Sequence, residues 1–366
     1  MPSPIRVDVL IVGGSLQGLL LLDRLISAGH SCLLVTAAEL GAGQTLHSHG
    51  ILNAGFGMAG PRPVELLQRV AIPDLRRRGV RTYGEWSALL PGARQPLPEV
   101  NFDRAGLVEA LAHERSAAIL NGQIASIERI PDGRARRLEL APSGLVLEPT
   151  AVIVAAGTGS KALLRRFGAG DLELEDIKHR RVHVLCVRGP ATELPALDFV
   201  APADRLFVAS HERDGDRTHL ATLMDFLAPH EEEVPADGSA NVDDAFADQG
   251  WEAFVRLVPA LTTQAGLRFA TYAGFRQDIG DMPGQPRCVA LADAPNVIAA
   301  LPSGLLGAWA VTEQATLLVH ELGALGAAQP QLPDAGASLR VGAVYEDTAA
   351  VAWRSRVSER PAHVGP

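Results

Sequence analysis

Val7–Thr36 reads VDVLIVGGSLQGLLLLDRLISAGHSCLLVT, and three successive patterns in it decide the fold. Val7–Val12 is a short β-rich apolar run, the composition of a strand covered on both faces of a parallel sheet. A glycine turn follows at Gly13–Gly18. Leu16, Leu19, Leu20, Leu25 and Ile26 then make a largely apolar helix, which ends at Ala28-Gly29. Glycine stops a helix there because it enters the left-handed conformation without penalty. Ser31–Thr36 is a second strand, so one strand–helix–strand unit spans about thirty residues.

Gly13, Gly14, Ser15 and Gly18 approximate G-x-G-x-x-G, with Ser15 where the second glycine would stand. The first glycine of that pattern allows a tight turn, the second lets a pyrophosphate approach the backbone, and the third lets helix and strand pack closely. The phosphates then lie at the positive end of the helix dipole. Serine narrows the space but brings a hydroxyl for a phosphate oxygen. The acid that would hold the ribose hydroxyls at the end of the second strand is replaced by Thr36, a weaker partner than a carboxylate; Glu39 is the nearest acid. Read alone, the unit points to a dinucleotide without choosing between NAD and FAD. A sharp strand-to-helix turn with no ligand is the alternative.

Beyond this unit, a helix is expected near Arg62–Arg78 and another over Phe102–Ala118, with Asn101 as its N-cap. Gln123–Arg129, Arg137–Ala141 and Leu145–Leu147 suggest a small β-ribbon. Ala151–Ala155 and Val297–Ala300 are buried-strand runs, the second followed by a long helix from Leu306 to Leu322. His230–Asp248 reads as a loop and helix start, and the tail from Gly323 has order only at Val341–Arg354.

The 366 residues suffice for two lobes, since compact domains run about 100–200 residues. A formal net charge of −9 argues against a nucleic-acid or anionic-membrane surface. The run Val9–Ile26 contains Gln17, Asp23 and glycines, which excludes a membrane span there. Cys32, Cys186 and Cys288 include no CxxC pair, so neither a disulfide framework nor a cysteine zinc site is expected, and no metal site. With no basic leader and cleavage signal at the start, a reducing cytoplasm is the expected compartment.

The remaining motifs resemble a known family. Gly41–Gly57 (GAGQTLHSHGILNAGFG) is similar to the flavin-contacting segment of the D-amino-acid oxidase superfamily, above all its L-2-hydroxyglutarate dehydrogenase branch. Ala151–Gly159 (AVIVAAGTG), Thr271–Arg276 (TYAGFR) and Ala294–Gly307 (APNVIAALPSGLLG) resemble its later motifs and occur in the same order. The resemblance implies an α/β fold: a Rossmann-like FAD-binding domain with an inserted, mostly antiparallel β substrate domain. It assigns 1–80, 100–170 and 286–325 to the FAD domain, 81–99 and 171–285 to the substrate domain, and 326–366 to a C-terminal extension. It implies Gly13, Gly14, Ser15 and Gly18 on the pyrophosphate and Thr36 near the adenosine ribose. Ile124 would reach adenine through its backbone, with Ala156 and Gly157 on the same half of the cofactor. Thr45, His47, Ser48 and Gly50 would follow the ribityl chain and ring, and Leu305, Leu306 and Gly307 would point N–H groups at the pyrimidine end.

The implied chemistry is hydride removal from a CH–OH or CH–NH group of a small carboxylate-bearing substrate, with oxygen or another acceptor reoxidising the flavin. His47 and His49 are the candidate proton acceptors, and Arg276 the candidate carboxylate clamp, because its guanidinium fork matches a carboxylate at any working pH. Their packing or salt-bridge roles are the plainer alternatives. His47 also matches the position at which the dimethylglycine dehydrogenase branch attaches FAD covalently, which stays open as the less favoured arrangement. Asn53 stands where the hydroxyglutarate branch carries histidine, and asparagine cannot act as a base, so that substrate is in doubt. Two further readings remain: an aromatic-hydroxylase type of FAD monooxygenase, whose Asp-Gly motif meets Thr158-Gly159 here, and a flavin-fold protein without activity.

Overall fold

The computed structural model describes residues 3–54, 62–223, 232–235, 240–280, 285–324, 328–330, 332 and 339–355, and the chain divides into two units. The first comprises Met1–Thr45, Ala105–Lys178 and Gln277–Gly342; the second comprises Leu46–Arg104, His179–Arg276 and Ala343–Pro366.

In the first unit, β1 (Ile5–Val12), α1 (Leu16–Ser27) and β2 (Cys32–Thr36) form the expected strand–helix–strand unit. β1 lies between β2 and the strand Leu145–Val154; outside these lie Ile119–Asn121 and Val297–Leu301, and all five run parallel. In chain order the five read 3-2-1-4-5, the doubly wound arrangement. Val9, Leu10 and Ile11 of β1 have no exposed surface, as a strand covered on both faces requires. Leu19, Leu21, Leu22 and Leu25 of α1 are likewise enclosed. Gln17 of α1 donates to Thr312 (3.0 Å) in the helix Gly307–Glu321. Leu145–Val154 is one continuous strand where two were expected. Leu145–Leu147 carry the ribbon Ala135–Ala141 and Gln123–Arg129, and the strand pairs in parallel with β1 from Leu147 to Val154.

The second unit is built on a seven-stranded sheet ordered Arg268–Ile279, Ile177–Pro190, Asp216–Leu223, Leu206–Arg213, Phe199–Ala201, Ser87–Leu90 and Ala93–Pro96. Its assigned pairings are antiparallel except Phe199–Ala201 with Ser87–Leu90. Trp251 and Phe254 of the helix Asp244–Leu257 pack on Leu185, Val187, Phe199 and Val208. The first unit is thus the expected Rossmann-like α/β arrangement, and the second carries the mostly antiparallel sheet that the family resemblance implies.

Three expectations need correction. Asn101 is not a helix N-cap: it lies in the strand Val100–Phe102, and the helix begins at Arg104. Fully buried, it accepts from Trp86 Nε1 (3.0 Å) and donates to Asp198 (2.5 Å) and the Ser210 carbonyl (3.1 Å). Residues 46–80 fall in the second unit, where Ile51–Leu52 pairs with Val100–Phe102. The described part of 326–366 is no separate extension. Leu40 bridges to Val341 within the first unit, and Phe269 bridges to Arg354 within the second. Gly55–Gly57 and residues 230, 231 and 236–239 of the His230–Asp248 stretch lie outside the described residues, and the helix start expected in that stretch is at Asp244. No described helix is long and apolar enough to cross a membrane.

Candidate functional site

The first unit builds a cradle where β1 and its neighbour Leu145–Val154 end. Gly13 has φ +126°, and a Cβ on it would lie 2.5 Å from the Ala155 carbonyl oxygen. A Cβ on Gly18 would lie 2.0 Å from the Gly13 oxygen, and one on Gly14 2.5 Å from Thr36 Oγ1. Real Cβ atoms do not make such contacts, so all three glycines are steric necessities of the turn. Ser15 caps α1: its hydroxyl accepts from Gly18 N (3.4 Å) and donates to the Ala155 carbonyl (2.7 Å). A hydroxyl has one hydrogen. Here that hydrogen ties the start of α1 to the end of the strand Leu145–Val154 instead of pointing at a phosphate. Thr45 Oγ1 accepts from Leu16 N (3.1 Å), which ties the expected ribityl segment to the first turn of α1. Ala156 N donates to Ser160 Oγ (3.1 Å), and Gly157 (φ +56°) opens a 3-10 turn leading into the helix Ser160–Arg166.

At the end of β2, Thr36 Oγ1 donates to the Ala38 carbonyl (2.9 Å), so its hydrogen is also spent locally. A cleft of about 390 Å³ opens there, lined by Thr36, Glu39, Leu40, Asn121 and Arg340 among others. Arg340 arrives because Leu40 N donates to its carbonyl (2.8 Å) and Gly342 N donates to Leu40 O (2.9 Å). Ile124 lies in the ribbon with its side chain in the core, and its carbonyl accepts from Arg166 (2.9 Å). Leu305, Leu306 and Gly307 form the entry to the helix Gly307–Glu321, behind a turn with Ser303 at φ +47° and Gly304 at φ +138°. Gly307 admits no side chain, since a Cβ would meet the Pro302 oxygen at 2.0 Å. A glycine turn at the positive end of α1, a cleft at the end of β2 that offers Thr36, Glu39 and Asn121, and a second helix start fit the pyrophosphate, ribose and ring of an FAD.

The second unit gathers the histidines. His47 closes the short helix Gln44–His47. Its ring lies edge-on to Tyr345 (centroids 4.2 Å), and its carbonyl accepts from the Tyr272 hydroxyl (2.9 Å). A Cβ on Gly274 would come within 3.6 Å of His47. Tyr272, Gly274 and Arg276 alternate along the strand Arg268–Ile279 and so share one face. His49 packs edge-on against Phe207 (4.4 Å), and its carbonyl accepts from His211 Nε2 (2.6 Å). Ser48 Oγ accepts from Gly50 N (3.3 Å), and Gly50 (φ +66°) has the Arg104 and His211 side chains 3.0 Å from where its Cβ would be. Among the described residues, His49 Nδ1 and Asn53 Oδ1 are shielded from solvent with no hydrogen-bond partner.

The electrostatics of this cluster run one way. Burial, then the Arg104 charge, brings His47 down to about 4. Burial, then Arg276, Arg104 and His211, brings His49 down to about 3. Both imidazoles are therefore neutral at pH 7 and accept a proton only weakly. Arg104, buried, donates to the Leu46 carbonyl (3.2 Å) and forms an ion pair with Glu346. No cluster of described residues could hold a metal ion.

Sequence reading missed Arg104, Tyr345, Glu346, Asn121 and Arg340. Tyr272 was within reach, because period-two alternation in TYAGFR puts it on the face of Arg276. The others meet their partners only through long-range folding, and no local pattern marks them.

The geometry agrees with the comparisons. The family model of FAD-dependent oxidoreductases, DAO, matches residues 97–315. The probable FAD-dependent oxidoreductase PA4991 of Pseudomonas aeruginosa is 29% identical in sequence over 272 residues, 59% of this chain and 68% of that protein. Its crystal structure superimposes with a TM-score of 0.72 and 25% identity, covering 93% of this chain and 98% of the other. L-proline dehydrogenase from P. horikoshii (TM-score 0.69, 12% identity, 90% and 96% covered) and glycine oxidase from Geobacillus kaustophilus (0.65, 18%, 90% and 98%) share the fold. With well over half of its length matched and a dinucleotide cradle at the expected strand ends, the chain belongs to the DAO family of FAD-dependent oxidoreductases.

Proposed function

We propose that this oxidoreductase removes a hydride from the CH–NH carbon of a small amino acid or N-substituted amino acid. The observation that carries the reading is the shared face of Tyr272, Gly274 and Arg276, against which His47 packs. Arg276 binds the substrate carboxylate through two parallel N–H donors. His49 Nδ1 and Asn53 Oδ1, shielded and without partners among the described residues, offer polar contacts to the substrate's remaining groups. FAD supplies the hydride acceptor, and oxygen or another oxidant restores it.

A side chain serves best as a general base when its pKa lies near the working pH. His47 at about 4 and His49 at about 3 lie well below neutrality. They act as neutral hydrogen-bonding groups, and the substrate ammonium loses one proton to solvent before hydride transfer. Hydride loss from the neutral amine then leaves the iminium, which water hydrolyses. Two fold neighbours are named for amino-acid substrates, glycine oxidase and L-proline dehydrogenase, which supports the CH–NH reading. A glycerol-3-phosphate dehydrogenase of the same fold keeps CH–OH chemistry as the second reading. A 2-hydroxy acid is the second reading, because Arg276 would bind its carboxylate equally well; Asn53 weakens the case for L-2-hydroxyglutarate. Non-covalent FAD is the arrangement we favour over a link through His47, since a nucleophile or base of such low proton affinity is weakly driven.

The test is an anaerobic screen of amino acids, N-methyl amino acids and 2-hydroxy acids, following loss of the oxidised-flavin absorbance. Bleaching by amino acids and not by hydroxy acids is expected. If neither class reduces the flavin, the proposed reaction is wrong.

A further inference from the structure

We infer that the C-terminal turn Tyr345–Asp347 is a positioning element for His47, with Tyr345 holding the imidazole and Glu346 holding the preceding carbonyl through Arg104. His47 is held by two tyrosines that also pack on each other. Its ring meets Tyr345 edge-on at 4.2 Å, its carbonyl accepts from Tyr272, and Tyr345 in turn lies 4.7 Å from the Tyr272 ring. One residue earlier, the Leu46 carbonyl accepts from Arg104, whose other guanidinium nitrogen is paired with Glu346. Arg104 and Glu346 are both buried, at 3% exposure, and Glu346 Oε2 has no hydrogen-bond partner among the described residues. A buried ion pair is costly to leave half-made, so each member holds the other in place.

The turn is itself anchored. Arg188 donates to Asp347 (2.5 Å), Arg213 approaches the same carboxylate (3.6 Å), and Arg188 and Arg268 flank the face of Trp353. Phe269 and Arg354 exchange two backbone hydrogen bonds of 2.8 Å. A segment bound this firmly imposes its geometry on the residues it touches. The groups facing His47 are then Tyr345 from the turn, Tyr272 from the strand and the Arg104–Glu346 pair. Burial is the larger cause of the low proton affinity of His47, and the Arg104 charge the smaller.

The inference rests on the reading that His47 serves the reaction, but it is tested independently of turnover. In the holoprotein labelled with ¹⁵N-histidine, the His47 imidazole is titrated by NMR in wild type, Tyr345→Phe and Tyr345→Ala, with Glu346→Gln as a second route that keeps the ring. Tyr345→Ala should raise the proton affinity of His47 about tenfold or more, and remove the ring-current shift on its imidazole protons. Tyr345→Phe should restore both. Glu346→Gln should broaden or move the His47 signals while leaving the ring contact. In kinetics with any substrate that bleaches the flavin, Tyr345→Ala should lower kcat and leave KM for the carboxylate nearly unchanged. An unmoved His47 titration and unshifted imidazole signals in folded Tyr345→Ala would overturn the inference. If no substrate bleaches the flavin and yet His47 shifts as described, the positioning role stands and the proposed reaction fails.

Discussion

Arg276 sits on the strand face that His47 packs against, and its guanidinium depresses the proton affinity of His49. A charged hydrogen bond to a carboxylate contributes about 1.5–3 kcal/mol, so Arg276→Ala should lower kcat/KM for a carboxylate substrate roughly a hundredfold. Arg276→Lys keeps the charge but loses the fork, and should fall between. The loss should shrink when the carboxylate of the substrate is replaced by an amide; an equal loss for acid and amide would show that Arg276 does not bind that group. Gly18 poses the opposite kind of constraint, steric instead of electrostatic. An alanine there places its Cβ 2.0 Å from the Gly13 oxygen, and overpacking of this sort costs about 1–3 kcal/mol. Gly18→Ala should therefore purify with less bound FAD and melt earlier, both read from one sample by flavin absorbance and thermal unfolding. Ser15 is different again. Its hydroxyl caps α1 and ties Ala155, so Ser15→Ala removes a cap worth about 1 kcal/mol without opening the turn. Stability should drop slightly and FAD content should stay near wild type.

At the scale of elements, what the sequence reveals depends on how far apart the partners lie. β1, α1 and β2 are legible because apolar runs, a glycine turn and a glycine stop all fall within one window. The strand Val297–Leu301 and the helix Gly307–Glu321 are legible for the same reason. Asn101 misleads because an asparagine before a helical pattern has the signature of an N-cap, while its three real partners, Trp86, Asp198 and Ser210, lie 15, 97 and 109 residues away. Burial raises the Asp198 pKa, and hydrogen bonds from Ser210 and Asn101 pull it back. Replacing Asn101 with leucine strands a buried donor, a carboxylate and a carbonyl together. Each such group costs about 1–3 kcal/mol, so Asn101→Leu should destabilise the strand Val100–Phe102 and its neighbours far more than Ser15→Ala destabilises α1. Hydrogen exchange would localise the damage: protection lost across Ser87–Leu90 and Phe199–Ala201 is the expected pattern, and unchanged protection there would refute the network's structural role. The site follows the same rule. Arg276 and the histidines carry their chemistry in their own sequence segment, whereas Arg104, Tyr345 and Glu346 become functional only when the C-terminal turn returns to a strand and helix laid down much earlier.

Over the whole molecule, buried neutral histidines are concentrated in one unit. His47 stands at about 4, and His49, His211 and His219 at about 3, each lowered chiefly by burial. All four belong to the second unit. A histidine whose folded pKa lies below its unfolded value of about 6.5 binds a proton more readily in the unfolded chain. Its stabilising effect is then complete above pH 6.5 and is lost progressively as pH falls toward the folded value. Unfolding in the window from about pH 6 to pH 4 should accordingly take up as many as four protons from this source, and the melting temperature should be flat near neutrality and fall steeply below pH 6. Trp86, Trp251 and Trp353 lie in the second unit and only Trp309 in the first, so tryptophan emission reports mainly on the part that acid attacks. An acid transition in tryptophan emission that begins below pH 6.5 is the expected result. Replacing His219 with glutamine separates the histidine effect from that of the carboxylates, which protonate in an overlapping but lower range. His219 has no exposed surface and bonds Ser210 through Nδ1 at 2.9 Å, a contact the glutamine amide can offer in part. The variant should bind about one proton fewer on unfolding at pH 5, with a shallower slope of melting temperature against pH. An unchanged slope would mean that His219 is already protonated in the native protein, and that burial does not keep this unit's imidazoles neutral.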